Sequence, residues 1–142
     1  MRIAIASDHA GLEMKNFIGD VLKEKKIEVL DLGTNDTASV DYPHFADKVA
    51  KAVLDNNADL GVLVCGTGIG ISIRANRHQG IRAALLYSDE TAEMVKKHNN
   101  ANIIVFGGRT MTKVDVAKRI DIFLNTEFEG GRHQKRIDLL DM

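Results

Sequence analysis

The chain carries a single cysteine in 142 residues, so no disulfide can form within it and a bridge-stapled fold is excluded. That scarcity fits a reducing compartment, and a cytoplasmic protein is expected. Net charge is almost absent as well. Nineteen Lys+Arg stand against 20 Asp+Glu, for a formal -1, and no global field favours nucleic acid. No apolar run approaches the roughly 20 residues that a bilayer-crossing helix needs. Met1-Arg2-Ile3-Ala4-Ile5-Ala6 leads directly into a strand-like pattern and then meets Asp8, without the length or cleavage site of a signal peptide. Membranes and nucleic acids are therefore not expected partners. No His-x-x-x-His pair and no second cysteine occur, so no short-range ligand set is visible and no metal is expected. Repeats and low-complexity stretches are missing. What remains is an ordinary soluble balance, 44% hydrophobic and 27% charged, long enough for one domain with a sizeable core over residues 1–142.

Strand-like and helix-like segments alternate throughout. Aliphatic runs predict strands over Arg2–Ala6, Ile27–Leu32, Leu60–Val64, Arg82–Tyr87 and Ile103–Phe106. Near-helical spacing of Leu12, Phe17, Ile18, Val21 and Leu22 predicts a helix over Gly11–Lys25. The only proline, Pro43, suits the first turn of a helix running to about Asn56. A short helix is expected over Ile69–Asn76, and two more capped by Ser88 or Asp89 and by Thr112. A basic helix at about 132–140 ends the chain. This β-α-β-α rhythm predicts a three-layer α/β/α sandwich around a five-stranded, parallel, Rossmann-like sheet. Ligands of such folds bind at the carboxyl ends of strands, where the strand order switches. Asp8-His9, Cys65 to Gly70 and Arg109 all follow predicted strands.

The segment Cys65-Gly66-Thr67-Gly68-Ile69-Gly70 is the most telling. Glycine at every second position before a helix is either a tight turn or a backbone cradle for an anion. The neighbouring known loops do not match. A dinucleotide fingerprint would need glycine where Ile71 stands, and a thiol phosphatase would need arginine there. No Gly-Lys-Ser/Thr ending makes a phosphate loop. A lone cysteine is commonly a quiet core residue, but one beside unpaired N–H groups sits in a field that favours a thiolate. Asp8-His9 reads as a helix cap or as groups converging on Cys65. His98 reads as a helix C-cap or as a general acid or base. Arg132 and Arg136 share a helix face, solvated or gripping phosphate with Arg109. His44 and His78 stand without such company.

Taken in order, Ser7-Asp8-His9-Ala10-Gly11, Asp41-Tyr42-Pro43, the Cys65–Gly70 loop, His98-Asn99, Gly107-Gly108-Arg109 and Arg132-His133-x-x-Arg136 resemble the type B ribose-5-phosphate isomerases. That family also includes galactose-6-phosphate and allose-6-phosphate isomerases. The resemblance covers nearly the whole chain. It implies a cofactor-free, metal-free aldose–ketose isomerase that moves a proton between C1 and C2 of a sugar phosphate through an enediolate. Cys65 would be the base, and the backbone N–H groups of Gly66, Gly68, Ile69 and Gly70 would hold the oxyanion. Thr67 would shuttle a proton between O1 and O2, and His98 would open the sugar ring. Asp8 and Tyr42, with Asp41, would position hydroxyls, and Asn99 would contact the sugar. His9, Arg109, Arg132 and Arg136 would bind the phosphate. Members are dimers or pairs of dimers, so His98, Asn99 and Arg109 are expected to face Cys65 of a second copy. A branch of the family uses a glutamate four residues after the cysteine position. Ile69 stands there, which puts this chain with the cysteine branch. Two other readings stay open: a hexose 6-phosphate isomerase, and a sugar-phosphate-binding module without turnover. A thiol phosphatase is disfavoured by Ile71.

Overall fold

A computed structural model describes residues 1–142. Five parallel strands, β1 (Arg2–Ser7), β2 (Glu28–Asp31), β3 (Leu60–Cys65), β4 (Ala83–Leu85) and β5 (Ile103–Gly107), lie in the order β2-β1-β3-β5-β4. Six helices accompany them: α1 (Leu12–Glu24), α2 (Tyr42–Leu54), α3 (Ile69–Ala75), α4 (Asp89–Lys97), α5 (Lys113–Leu124) and α6 (Arg132–Asp138). No helix is long and apolar enough to cross a membrane.

Side chains alternate across the pleat, and each central strand feeds two cores. Ile3, Ile5, Val62, Val64, Ile104 and Phe106 pack with residues of α1, α4 and α5 on one face. Ala4, Ala6, Leu63, Cys65, Ile103 and Val105 pack with α2 and α3 on the other. That second face is built largely of alanine, including Ala46, Ala50 and Ala75, so its helices lie close to the sheet. Its alternation also fixes where the thiol points, toward α2 and α3. The chain leaves β1 toward β2 on one side and reaches β3 on the other, so the order switches between β1 and β3. Ligands of open α/β sheets bind at such a crevice.

Three details depart from the periodicity. Strand β4 is shorter than Arg82–Tyr87. It is an edge strand, and the N–H of Arg82 donates to the side chain of Asn102 (2.8 Å). The stripe of α1 buried in the core is Met14, Lys15, Ile18, Gly19 and Leu22, with Leu12, Phe17 and Val21 only half-buried. A short 3₁₀ turn, His9–Gly11, precedes the helix. The basic helix is also shorter than about 132–140, ending at Asp138.

Candidate active site

Cys65 ends β3 nearly buried, at 5% exposure. The chain then turns sharply, and the N–H of Gly68 swings back to donate to Cys65 Sγ at 3.2 Å. Such a bond is stronger to a thiolate than to a thiol. The turn requires φ +81° at Gly68, a left-handed conformation costly for any residue with a Cβ. The space is closed too, since a Cβ there would lie 2.6 Å from Leu85 Cδ1 and 2.9 Å from the carbonyl oxygen of Phe106. Gly68→Ala is therefore expected to destabilise the fold by about 2–4 kcal/mol, read as a lower urea midpoint. An unchanged midpoint would contradict this account of the turn.

Beyond Gly68, α3 begins. The Ile69 N–H donates to Thr67 Oγ1 (3.2 Å). Of the N–H groups expected to hold an oxyanion, those of Gly68 and Ile69 are thus engaged within the turn, while those of Gly66 and Gly70, and of Ile71 beside them, meet no acceptor in the chain, as first-turn donors commonly do not. Tyr42, the first residue of α2, lies across this turn. A Cβ on Gly70 would stand 2.6 Å from its Cζ and 2.8 Å from its hydroxyl, so glycine permits the ring to approach.

The loops after β1 and β5 close around the same turn. Gly108 N–H donates to Cys65 O (2.8 Å) and Arg109 N–H to Gly66 O (2.9 Å). The Asp8 N–H donates to Val64 O (3.3 Å). Buried Asp8 accepts the Gly11 N–H on Oδ1 (3.1 Å) and so caps the 3₁₀ turn His9–Gly11, one of the two roles its position in the sequence allows. His9 Nδ1 accepts the N–H of Val40 (3.2 Å). Arg109, expected opposite a second copy's thiol, instead places its stem and guanidinium about 3.6 Å from where a Cβ of its own chain's Gly66 would be. The reason is register: Cys65 pairs with Gly107, so the turn after β5 falls on the loop after β3.

The remaining candidates gather elsewhere. His98 is the C-cap of α4, its N–H bonded to Met94 O (2.9 Å). It shares a pocket of about 250 Å³ with Asn99, His133, Arg136, Ile137 and Leu140. Arg132 opens the same helix, α6, exposed. The rings of His98 and His133 stack at 4.2 Å and 15°, and His98 Nε2 lies 3.6 Å from Glu129 Oε1. Burial first, and then the neighbouring His98 and Arg132, hold His133 below the ordinary histidine range. His98, Glu129 and His133 bring three potential metal-ligand atoms within 4.8 Å, a non-local set that no short spacing announces. Lone pairs lie in the ring planes, however, and two stacked, nearly parallel planes share no common point for an ion. Glu129 has no role in the sequence reading, and His133 enters it only inside the Arg132–Arg136 motif; its i,i+4 neighbour Ile137 is buried with it.

Helix α4 runs back along the sheet, so His98 lies beside the amino-terminal edge, just before β5. Cys65 lies at the carboxyl-terminal edge. Four residues of strand separate the levels of Ile103 and Gly107, about 13 Å. One chain thus brings together Asp8, His9, Tyr42, Cys65–Gly70 and Arg109 at one edge, and His98, Asn99, Arg132 and Arg136 toward the other. His44 is exposed, and His78 bonds Asp47 (2.7 Å) beside the Arg74–Asp47 ion pair, a tie between α2 and α3 away from the thiol.

Comparison with known proteins agrees with this geometry. A profile of the Ribose/Galactose Isomerase family matches residues 3–140. Ribose-5-phosphate isomerase B of Escherichia coli is 42% identical over 140 residues, spanning 98% of this chain and 93% of that protein. The probable ribose-5-phosphate isomerase B of Mycoplasma genitalium is 48% identical over 138 residues, 96% of this chain and 91% of its own. Among solved structures, a ribose 5-phosphate isomerase of Thermotoga maritima superposes with TM-score 0.97 at 50% identity, covering 99% of this chain and 97% of that one. The Mycoplasma genitalium enzyme solved with bound ribulose-5-phosphate gives 0.94 at 47% identity, covering 98% and 93%. With the sheet order, the thiol-bearing glycine turn and these matches in agreement, the chain belongs to the ribose/galactose isomerase family.

Proposed function

We propose that the protein interconverts ribose 5-phosphate and ribulose 5-phosphate, with Cys65 as the base that carries the proton between C2 and C1. The observation behind this reading is the pairing of a nearly buried thiol, hydrogen-bonded by the Gly68 N–H, with the uncommitted N–H groups of Gly70 and Ile71 one turn away. Proton transfer from carbon needs both parts. A sugar C–H is a far weaker acid than a thiol, so the reaction runs only if the enediolate is held. Each well-aimed donor can supply roughly 3 kcal/mol toward that. Thr67, exposed on the turn, has a hydroxyl to relay the proton between O1 and O2. Asp8 and Tyr42 position the sugar hydroxyls, Asp8 by its remaining carboxylate capacity.

Ribose 5-phosphate is mostly a closed ring, and His98 serves as the acid–base group that opens it. Asn99 contacts the sugar. His9, Arg109, Arg132 and Arg136 hold the phosphate. The separation of about 13 Å along the strands supports a His98 group supplied by a second copy, the working unit being a dimer or a pair of dimers with shared sites. No side chain that can take a proton replaces Cys65 at the glutamate position of the other branch, since Ile69 stands there.

The test is isomerisation of ribose 5-phosphate by purified protein in excess EDTA, with allose 6-phosphate and galactose 6-phosphate as companion substrates. Rapid turnover of the pentose is expected. Faster turnover of either hexose would replace the substrate, and saturable binding of all three without turnover would replace the enzyme by a binding module.

A further inference from the structure

Lys15 has no place in the chemistry above, yet it is among the largest fully buried side chains of the protein. A lysine is seldom buried unless paired. Its Nζ donates to Asp31 Oδ1 (2.8 Å), Asp31 Oδ2 (2.7 Å) and Asn35 Oδ1 (2.9 Å), so the three protons of the ammonium are all used. The carboxylate it holds also accepts the Gly33 N–H on Oδ1 (2.9 Å). Asp31 ends β2 and Asn35 lies four residues on, so the ammonium ties the start of the long segment between β2 and α2 to helix α1.

That segment has few other holds. Gly33 and Thr34 bond to Ser7 through their backbones. From Asn35 to Val40 the only hydrogen bonds leaving the segment are Lys15 to Asn35 and the Val40 N–H to His9 Nδ1. A backbone N–H can only donate. His9 Nδ1 must therefore be the acceptor, and in the neutral ring the proton sits on Nε2. Two residues past Val40, the same segment delivers Tyr42 onto Gly70.

We propose that Lys15 is a positioning residue of the active site: its buried ammonium anchors the 31–41 segment, which in turn fixes the tautomer and orientation of His9. The donor edge of the His9 ring, Nε2–H, is then presented ready-made to the substrate phosphate. The phosphate part of this inference rests on the function proposed above. The imidazole part does not.

Lys15→Met keeps the apolar stem and removes the ammonium. Asp31, with a side chain 38% exposed, remains hydrated. Asn35→Ala cuts the second leg of the clamp from the exposed side and leaves the core intact, so it decides the matter should Lys15→Met fail to fold. Two readouts are needed. The first is the nitrogen NMR signature of His9 in substrate-free protein at a pH where the ring is neutral. Wild type should show a single Nε2–H tautomer, and both variants a mixture. The second is steady-state kinetics with ribose 5-phosphate. KM should rise about three- to tenfold, with kcat held within about twofold, the size of effect expected for a lost hydrogen bond to bound substrate. A folded variant with an unchanged His9 tautomer overturns the proposal, as does a loss confined to kcat. If the protein turned over no sugar phosphate at all, the isomerase reading would fail while the nitrogen signature still decided the clamp.

Discussion

Cys65→Ala is expected to lower kcat for ribose 5-phosphate isomerisation by about a thousandfold or more, with sugar-phosphate affinity held within about twofold. The thiol is the one side chain on the turn able to accept a proton from carbon. Thr67 carries a neutral hydroxyl and Ile69 an alkyl group, and one oxygen of Asp8 is already committed to the Gly11 N–H. Phosphate and hydroxyl contacts come from other residues, so binding survives. The fold should survive too, because replacing a small buried side chain with alanine costs on the order of 1 kcal/mol. The buried Gly68 N–H loses its acceptor, which adds roughly 1–3 kcal/mol, still short of the roughly 5–15 kcal/mol that holds an ordinary domain folded. The check pairs steady-state kinetics with calorimetric titration using a sugar phosphate whose carbonyl has been reduced, so that it binds without reacting. Turnover within tenfold of wild type would remove Cys65 from the role of base.

The second large effect concerns a mixture. His98→Asn and Cys65→Ala proteins should each be nearly inactive on the closed sugar, yet refolding them together in equal amounts should restore about a quarter of wild-type activity. The figure follows from closed two-fold symmetry. Half of the randomly formed dimers pair one chain of each kind. In each such dimer one site combines an intact thiol with an intact imidazole, and the other has neither. Within a single chain the two groups lie at opposite ends of the sheet, since Cys65 pairs with Gly107 at one end of β5 and His98 precedes its other end. Each protein refolded alone is the control. A mixture no more active than its components would mean that His98 serves the thiol of its own chain or does not serve it at all.

Much of this arrangement could be read from the residues. The alternation of aliphatic runs with amphipathic segments places all five strands, because a parallel sheet covered on both faces leaves no polar positions in its central strands. The turn after Cys65 is legible because three alternating glycines have few other uses. The rest depends on what lies far away in the chain. Lys15 lies three and seven residues before Ile18 and Leu22, on the stripe of α1 that is buried, where a lysine is not expected unless it is paired. Asp31 and Asn35, its partners, belong to a different element. The stacking of His98 on His133 joins the ends of α4 and the start of α6, a contact that no local spacing encodes. Strand β4 is shorter than its aliphatic run because this edge strand stops pairing where Asn102 takes the Arg82 N–H. Arg109 is expected opposite a second copy's thiol only from the family resemblance, while the register of β5 against β3, Gly107 beside Cys65, sets it next to Gly66 of its own chain.

The placement of the thiol and the imidazole at opposite ends of the sheet has a thermodynamic corollary. On the proposed shared site, a sugar phosphate held by groups from two polypeptides would bind the assembled pair and neither half alone. By mass action it then favours association, and by linkage the dissociation constant of the pair should fall as the concentration of sugar phosphate rises. At high dilution the initial rate would scale with the square of protein concentration, returning to first order as the site fills. The metabolite would then be both reactant and assembly factor.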